Sequence, residues 1–165
     1  AEHAIRGFHG VSLLLKEEAP TGAILTDVLG FTRTGQEGSV VRFQAEGNPV
    51  GGIVDIRVAG GFLPARMGAG SVHHVAFRAA DDAAQAGMVA RLASHHGIRT
   101  TEQKDRNYFR SVYFREPGGV LFEIATDEPG FAVDEPVSDL GRTLKLPDFL
   151  EPRRASIEAV LPEIA

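Results

Sequence analysis

Histidines, carboxylates, two tyrosines and the arginines are the residues that could do chemistry in this chain, which has 6 His, 22 Asp plus Glu and no Cys. The lack of cysteine removes thiolate metal sites, thiol nucleophiles and a disulfide framework. Two positions draw attention. Glu123 sits inside the apolar run Val120-Leu121-Phe122-Glu123-Ile124-Ala125. A carboxylate there must reach solvent, pair with a cation or bind a metal. His73 and His74 open a second apolar run, HHVAFRAA. Strand alternation sends them to opposite faces, so at most one can share a site with Glu123, and the residues that follow do not say which. A His and a Glu on two strands of one module are two of the three ligands of the facial 2-His-1-carboxylate arrangement, which leaves open positions on Fe(II). The plainer reading of either residue alone is a structural His or a solvated Glu.

The elements that must position these residues come from an internal repeat. FHGVSLLL (8–15) and HHVAFRAA (73–80) are strand-like runs 64 residues apart when Gly10 is set against His74. A helical stretch follows each. In the first, Ile24, Leu25, Val28 and Leu29 fall at helical spacing before Gly30. In the second, Asp81 and Asp82 suit the N-terminus, Met88, Val89 and Leu92 form the stripe, and Gly97 is the stop. Strand candidates come next: Phe31 to Thr34, Val40 to Ala45 and Ile53 to Val58, then Ile98 to Thr101, Arg110 to Arg115 and Val120 to Thr126. Glycine pairs at 51–52 and 118–119 precede the last strand of each half.

The expected fold is therefore α+β: two tandem βαβββ modules forming a curved mixed sheet around a shared cavity, plus a C-terminal tail with a short helix. The divisions are residues 1–62, a linker at 63–70, 71–128 and a tail at 129–165. In the tail, Pro152 suits the first turn of a helix bearing Ile157, Val160 and Leu161, expected to cover the sheet. His95 and His96 are expected to interact with a helix C-terminus rather than a metal, and His3 to lie in a terminus.

A net charge of −5 argues against generic nucleic-acid binding. No apolar run approaches the length of a membrane span and no signal peptide is evident, so a cytoplasmic location is expected. The first residue is Ala, which suggests a processed or partial product.

The βαβββ repeat, with a His heading one strand and a Glu in the last, resembles the vicinal oxygen chelate superfamily, which includes glyoxalase I, bleomycin-resistance proteins and type I extradiol dioxygenases. The segment VYFREPGGVLFE (112–123) is similar to the second part of the extradiol signature at every specified position. DRNYFRSVYFREPGGVLFEIATDEPGF, with GRTLKLP and EPRR in the tail, resembles the C-terminal half of bacterial ring-cleaving, hydroquinone-type dioxygenases.

The resemblance implies an Fe(II)-dependent, or alternatively Mn(II)-dependent, dioxygenase acting on a small aromatic diol or hydroquinone and O2. It implies Glu123 and His74 as metal ligands, the latter because His74-Val75-Ala76-Phe77 fits the family's frame. It implies Tyr113 beside the metal, with Tyr108 and Arg110 lining the approach. Two departures follow. No His lies between Gly97 and Val112, where the extradiol acid/base His is expected. Gly10 stands where the first module would supply the other ligand, His9 is one residue early, and Asp55 is near the position of Glu123 but could be off by one. The third ligand is thus expected from missing N-terminal modules or a second subunit. The alternatives are a glyoxalase-like metal isomerase or lyase, and a metal-free small-molecule binding module.

Overall fold

The computed structural model describes residues 3–5, 7–47, 50–61 and 67–162. Each half follows the expected order. The first has β1 (Gly10–Leu15), α1 (Ala19–Asp27), β2 (Phe31–Glu37), β3 (Val40–Ala45) and β4 (Ile53–Val58). The second has β5 (Val75–Ala79), α2 (Asp82–His96), β6 (Lys104–Asp105), β7 (Phe109–Arg115) and β8 (Leu121–Pro129). They build two four-stranded mixed sheets, ordered β1-β4-β3-β2 and β5-β8-β7-β6. In each, the first and last strands pair in parallel and the rest are antiparallel. The α-helix between the first two strands makes that parallel pairing possible.

Alternation gives each sheet two chemically different faces. Leu13, Leu15, Val41, Phe43, Val54 and Ile56 turn one face of the first sheet into the core, and Phe77, Val112, Phe114, Phe122 and Ile124 do so in the second. With Ile24 and Leu25 of α1, Val28 just after it and Leu92 of α2 they form one continuous core. Phe31 meets Phe77 edge-on, with ring centroids 5.8 Å apart, across the two halves. The opposite face of the second sheet carries His74, Ala76, Tyr113 and Glu123; that of the first carries Ser12, Leu14, Arg42 and Asp55.

The helix signals act as read. The Asp81 carboxylate accepts from the Ala84 amide at 2.8 Å, and Gly97 takes φ +64° at the C-terminus of α2. Gln85 is buried in that helix, and its amide nitrogen donates to the carbonyls of Arg110 (2.9 Å) and Ile124 (2.7 Å). The β7/β8 register shifts between Phe109 and Ser111, so the Arg110 carbonyl falls at a break in the ladder. Gln85 supplies the donor that the bulge removes, and its own oxygen accepts from Gln103 at 2.7 Å.

Three expectations are corrected. Ile98 to Thr101 is not a strand; the edge strand is the two-residue Lys104–Asp105. The Thr101 amide donates to the Tyr113 carbonyl and its hydroxyl accepts from the Tyr113 amide, so the chain approaches β7 there through one residue without forming a ladder. In the tail, Pro152 lies inside a 3-10 turn (Asp148–Arg153), and the helix, α3, runs only from Arg154 to Glu158. Proline has no amide to join an α ladder, which accounts for the later start. Val160 and Leu161 are 80% and 47% exposed, so this segment does not cover the sheet. Of the expected linker, residues 63–66 lie outside the described residues.

Replacing Gln85 with Leu leaves two buried carbonyls without their donor and is expected to lower the unfolding free energy by about 2–4 kcal/mol. Asp81→Ala, which removes one cap, is expected to cost about 1 kcal/mol. Urea unfolding measures both, and equal losses would contradict the bridging role of Gln85.

Candidate metal centre

Three strands bring the site together. Glu123 of β8 lies opposite Ala76 of β5 on one side and Tyr113 of β7 on the other. His74 lies just before β5, two residues from Ala76. Its Nε2 stands 2.8 Å from the Glu123 carboxylate. The Glu123 side chain is only 4% exposed and that of His74 34%. Among the described residues, His74 is the one side chain within hydrogen-bonding distance of Glu123. The Tyr113 ring meets the His74 ring edge-on with centroids 5.8 Å apart. The sequence pairing of His74, Glu123 and Tyr113 is therefore a spatial cluster.

Three further residues belong to the cluster. His73 Nδ1 lies 2.9 Å from His74 Nδ1. One of these nitrogens must carry the proton. If it is His74, its Nε2 lone pair faces the carboxylate, and a cation between them satisfies both groups. If His74 Nε2 is protonated, the pair is a charge-assisted hydrogen bond. The guanidinium of Arg106 sits 5.8 Å from the centroid of the Tyr113 ring, and Ser111 Oγ is 3.3 Å from the Tyr113 hydroxyl. Alternation alone sends His73 to the face away from His74. But β5 begins only at Val75, so His73 precedes the strand and escapes that constraint. Arg106 carries no periodic signal, because it lies in the turn between β6 and β7.

Tyr108 and Arg110 are placed elsewhere. The Tyr108 ring stacks on Phe131, with centroids 5.1 Å apart, and its hydroxyl bonds Asp134 at 3.1 Å. Desolvation first, then the Asp134 carboxylate, pushes its phenol above the ordinary value. Arg110 donates to Asp82 at 2.6 Å. Neither spends its polar group on His74 or Glu123: Tyr108 anchors the tail and Arg110 ties β7 to α2.

The donor set fits a metal ion that prefers nitrogen and oxygen. A buried carboxylate beside one imidazole, with no thiolate, offers one oxygen and one nitrogen donor. His74 and Glu123 would hold it. Among the described residues no group of three or more His, Asp or Glu converges. A cleft of about 650 Å³ is lined in part by Leu14, Lys16, Thr21, His73, Arg115 and Leu121; of the cluster only His73 reaches it, and His74, Glu123 and Tyr113 do not line it.

The first module repeats the geometry with other chemistry. Asp55 lies opposite Ser12 and Arg42, as Glu123 lies opposite Ala76 and Tyr113. Asp55 thus occupies the equivalent position without a one-residue offset, and Gly10 corresponds to His74. A Cβ on Gly10 would come within 2.7 Å of the Ile53 carbonyl oxygen, so β1 approaches β4 too closely there for a ligand side chain. Arg42 grips Asp55 with two bonds of 2.8 and 2.7 Å. That bond, with a smaller contribution from the charge of His9, holds the Asp55 carboxyl below the usual carboxylate value. His9 therefore lies within electrostatic reach of Asp55.

A depressed folded-state value stabilises the fold above the unfolded carboxylate value near 3.8, and the gain is lost as pH falls through the folded value. Arg42→Gln should therefore unfold more easily than the parent at pH 6 but approach it as the pH falls through the lowered folded-state value of Asp55. The effect should be small, because Arg42 is half exposed. A constant difference across that range in thermal unfolding would contradict the assignment.

Residues 19–124 match the family described as the glyoxalase/bleomycin resistance protein/dioxygenase superfamily. The chain is 44% identical over 155 residues to "Putative ring-cleaving dioxygenase MhqO" of Bacillus subtilis, covering 94% of this chain and 49% of that protein. It is 31% identical to the chlorohydroquinone/hydroquinone 1,2-dioxygenase of Sphingobium indicum, covering 91% and 47%. The crystal structure of a Bacillus subtilis protein described as a putative dioxygenase superposes with a TM-score of 0.84 at 43% identity, covering 98% of this chain and 51% of that one. The chain thus spans about half the length of the curated relatives it matches. The chain belongs to the glyoxalase/bleomycin resistance protein/dioxygenase superfamily, and its relatives at 43–44% identity carry the name "Putative ring-cleaving dioxygenase".

Proposed function

We propose that this chain carries the metal-holding half of a ring-cleaving dioxygenase of the extradiol type, acting on aromatic diols or hydroquinones. The observation that carries the reading is the 2.8 Å approach of His74 Nε2 to a buried Glu123 carboxylate, with Tyr113 against the His74 ring. The named activities of the relatives point the same way. Fe(II), or alternatively Mn(II), would be held by His74 and Glu123, and a third His would come from a further module pair, in a longer polypeptide or a second subunit. When bound, the metal supplies the open positions at which an aromatic hydroxylate and O2 can meet.

The protein residues then have separate tasks. Glu123 contributes negative charge from a dry position, where its attraction for a cation is strong. His73, at hydrogen-bonding distance from His74, orients that ring through its outer nitrogen. The Tyr113 hydroxyl, steadied by Ser111, donates to a substrate oxygen on the same face. Arg106 lies over the Tyr113 ring and adds positive charge, which favours a substrate phenolate. The cleft beside His73 admits a ring-sized ligand.

Geometry weighs against a glyoxalase-like isomerase drawing two ligands from each module. In the first module, Gly10 has no room for a side chain and Arg42 occupies Asp55. Anaerobic equilibrium dialysis tests the main reading. The parent should bind one Fe(II) or Mn(II) per chain, and His74→Ala should weaken binding at least tenfold. A parent that binds no metal would favour a metal-free binding module instead. Equal binding by parent and variant would remove His74 from the ligand set. Tyr113→Phe should leave metal binding within about threefold yet weaken catechol binding by the metal-loaded chain roughly tenfold, the cost of one lost hydrogen bond.

A further inference from the structure

Glu116 is a buried carboxylate that the proposed chemistry does not use. It is 2% exposed, in the hairpin between β7 and β8. Its carboxylate accepts from the amides of Gly118 at 2.8 Å and Val120 at 2.7 Å. A third donor is the Thr21 hydroxyl, from α1 of the other module, and Thr21 is itself 1% exposed. The backbone closes the same turn: the Gly119 amide donates to the Glu116 carbonyl, and the Glu116 amide donates to the Val120 carbonyl. A second observation places this hairpin on the first module. A Cβ on Gly118 would lie 2.5 Å from Leu15 Cδ2, at the end of β1. The turn therefore seats on β1 and α1 so closely that a side chain at its tip would have to displace Leu15 or the Glu116 carboxylate.

The position of the turn gives this contact its consequence. Tyr113 lies three residues before Glu116, and Glu123 lies three residues after Val120. Both strands that carry Glu123 and Tyr113 therefore leave from the clasped turn, while His74 lies just before β5, one residue short of the β5–β8 ladder that begins at Val75 and Phe122. A shift of the β7–β8 hairpin that this unladdered residue does not follow would change the distance of Glu123 and Tyr113 to His74. A buried carboxylate with three donors resists that movement, because each lost donor leaves charge unpaired away from water.

We propose that Glu116 is a positioning residue: clasped by Thr21, it lets the ligand-free first module set the location of Glu123 and Tyr113 relative to His74. The part of this inference that concerns metal binding rests on the proposed function; the part that concerns hairpin position does not.

The test uses Thr21→Val, which keeps shape and removes the donor, Thr21→Ser, which keeps the donor, and Glu116→Gln, which cannot accept at every bond. Mn(II) affinity is measured by equilibrium dialysis at 10 °C, where all variants should be folded by circular dichroism. Thr21→Val and Glu116→Gln should bind Mn(II) about tenfold more weakly, comparable with the loss of a contact that supports a ligand. Thr21→Ser should bind like the parent. If Thr21→Val loses thermal stability yet keeps parent affinity, the clasp is merely structural and the proposal is overturned. A parent that binds no Mn(II) overturns the functional reading, and amide hydrogen exchange then decides the clasp. Exchange in Thr21→Val should quicken across residues 112–124 while residues 53–58 keep parent rates. A uniform change across both sheets would overturn the positioning role.

Discussion

The interaction on which the rest depends is that of a dehydrated carboxylate with one imidazole. Glu123 lies in an apolar strand, deep enough that an unpaired charge there would be costly. The fold answers with His74, brought from the head of a parallel strand. That pairing requires β5 and β8 to be neighbours, which requires a helical crossover, which in turn requires the apolar stripe of α2 beneath the sheet. Gln85 holds the crossover against the strand that bears Glu123 by taking the Ile124 carbonyl and mending the break at Arg110. The site and the core are thus two faces of the same strands.

The duplication makes the chemistry of the second module more legible. Both modules place a carboxylate at the same node of the sheet, Asp55 in one and Glu123 in the other. In the first, an arginine from the neighbouring strand closes on the carboxylate, and glycine stands where an imidazole would be needed. In the second, the neighbour is a tyrosine, which cannot neutralise the acid, and the imidazole is present. One scaffold therefore yields a carboxylate closed by arginine on one side and a buried carboxylate facing an imidazole on the other. The first module retains a structural task in this account: it offers Thr21 and Leu15 as the seat for the hairpin that carries the site.

Much of this was legible in the sequence. The repeat offset set Gly10 against His74, the strands Val40–Ala45 and Ile53–Val58 have the expected limits, and the glycine and aspartate helix signals operate as read. The cluster of His74, Glu123 and Tyr113 follows from alternation once the strands are paired. What alternation could not reach lies outside regular strands. His73 bends back toward His74 because it precedes β5, and Arg106 arrives from a turn. Proximity in sequence also suggested Tyr108 and Arg110, but Phe131, Asp134 and Asp82 hold them, and those partners come from distant segments with no pattern to announce them. The short tail helix is present, but it starts after Pro152, because Pro152 suits a 3-10 turn as well as an α-helix start and local sequence does not separate the two.

The most direct test of a metal between His74 and Glu123 is a crystal of this chain soaked in Mn(II), with anomalous scattering recorded near the manganese edge. The account predicts a peak within about 2.3 Å of both His74 Nε2 and a Glu123 carboxylate oxygen. A peak at Asp55 or at His95 and His96 instead, with the His74–Glu123 contact unchanged, would contradict it.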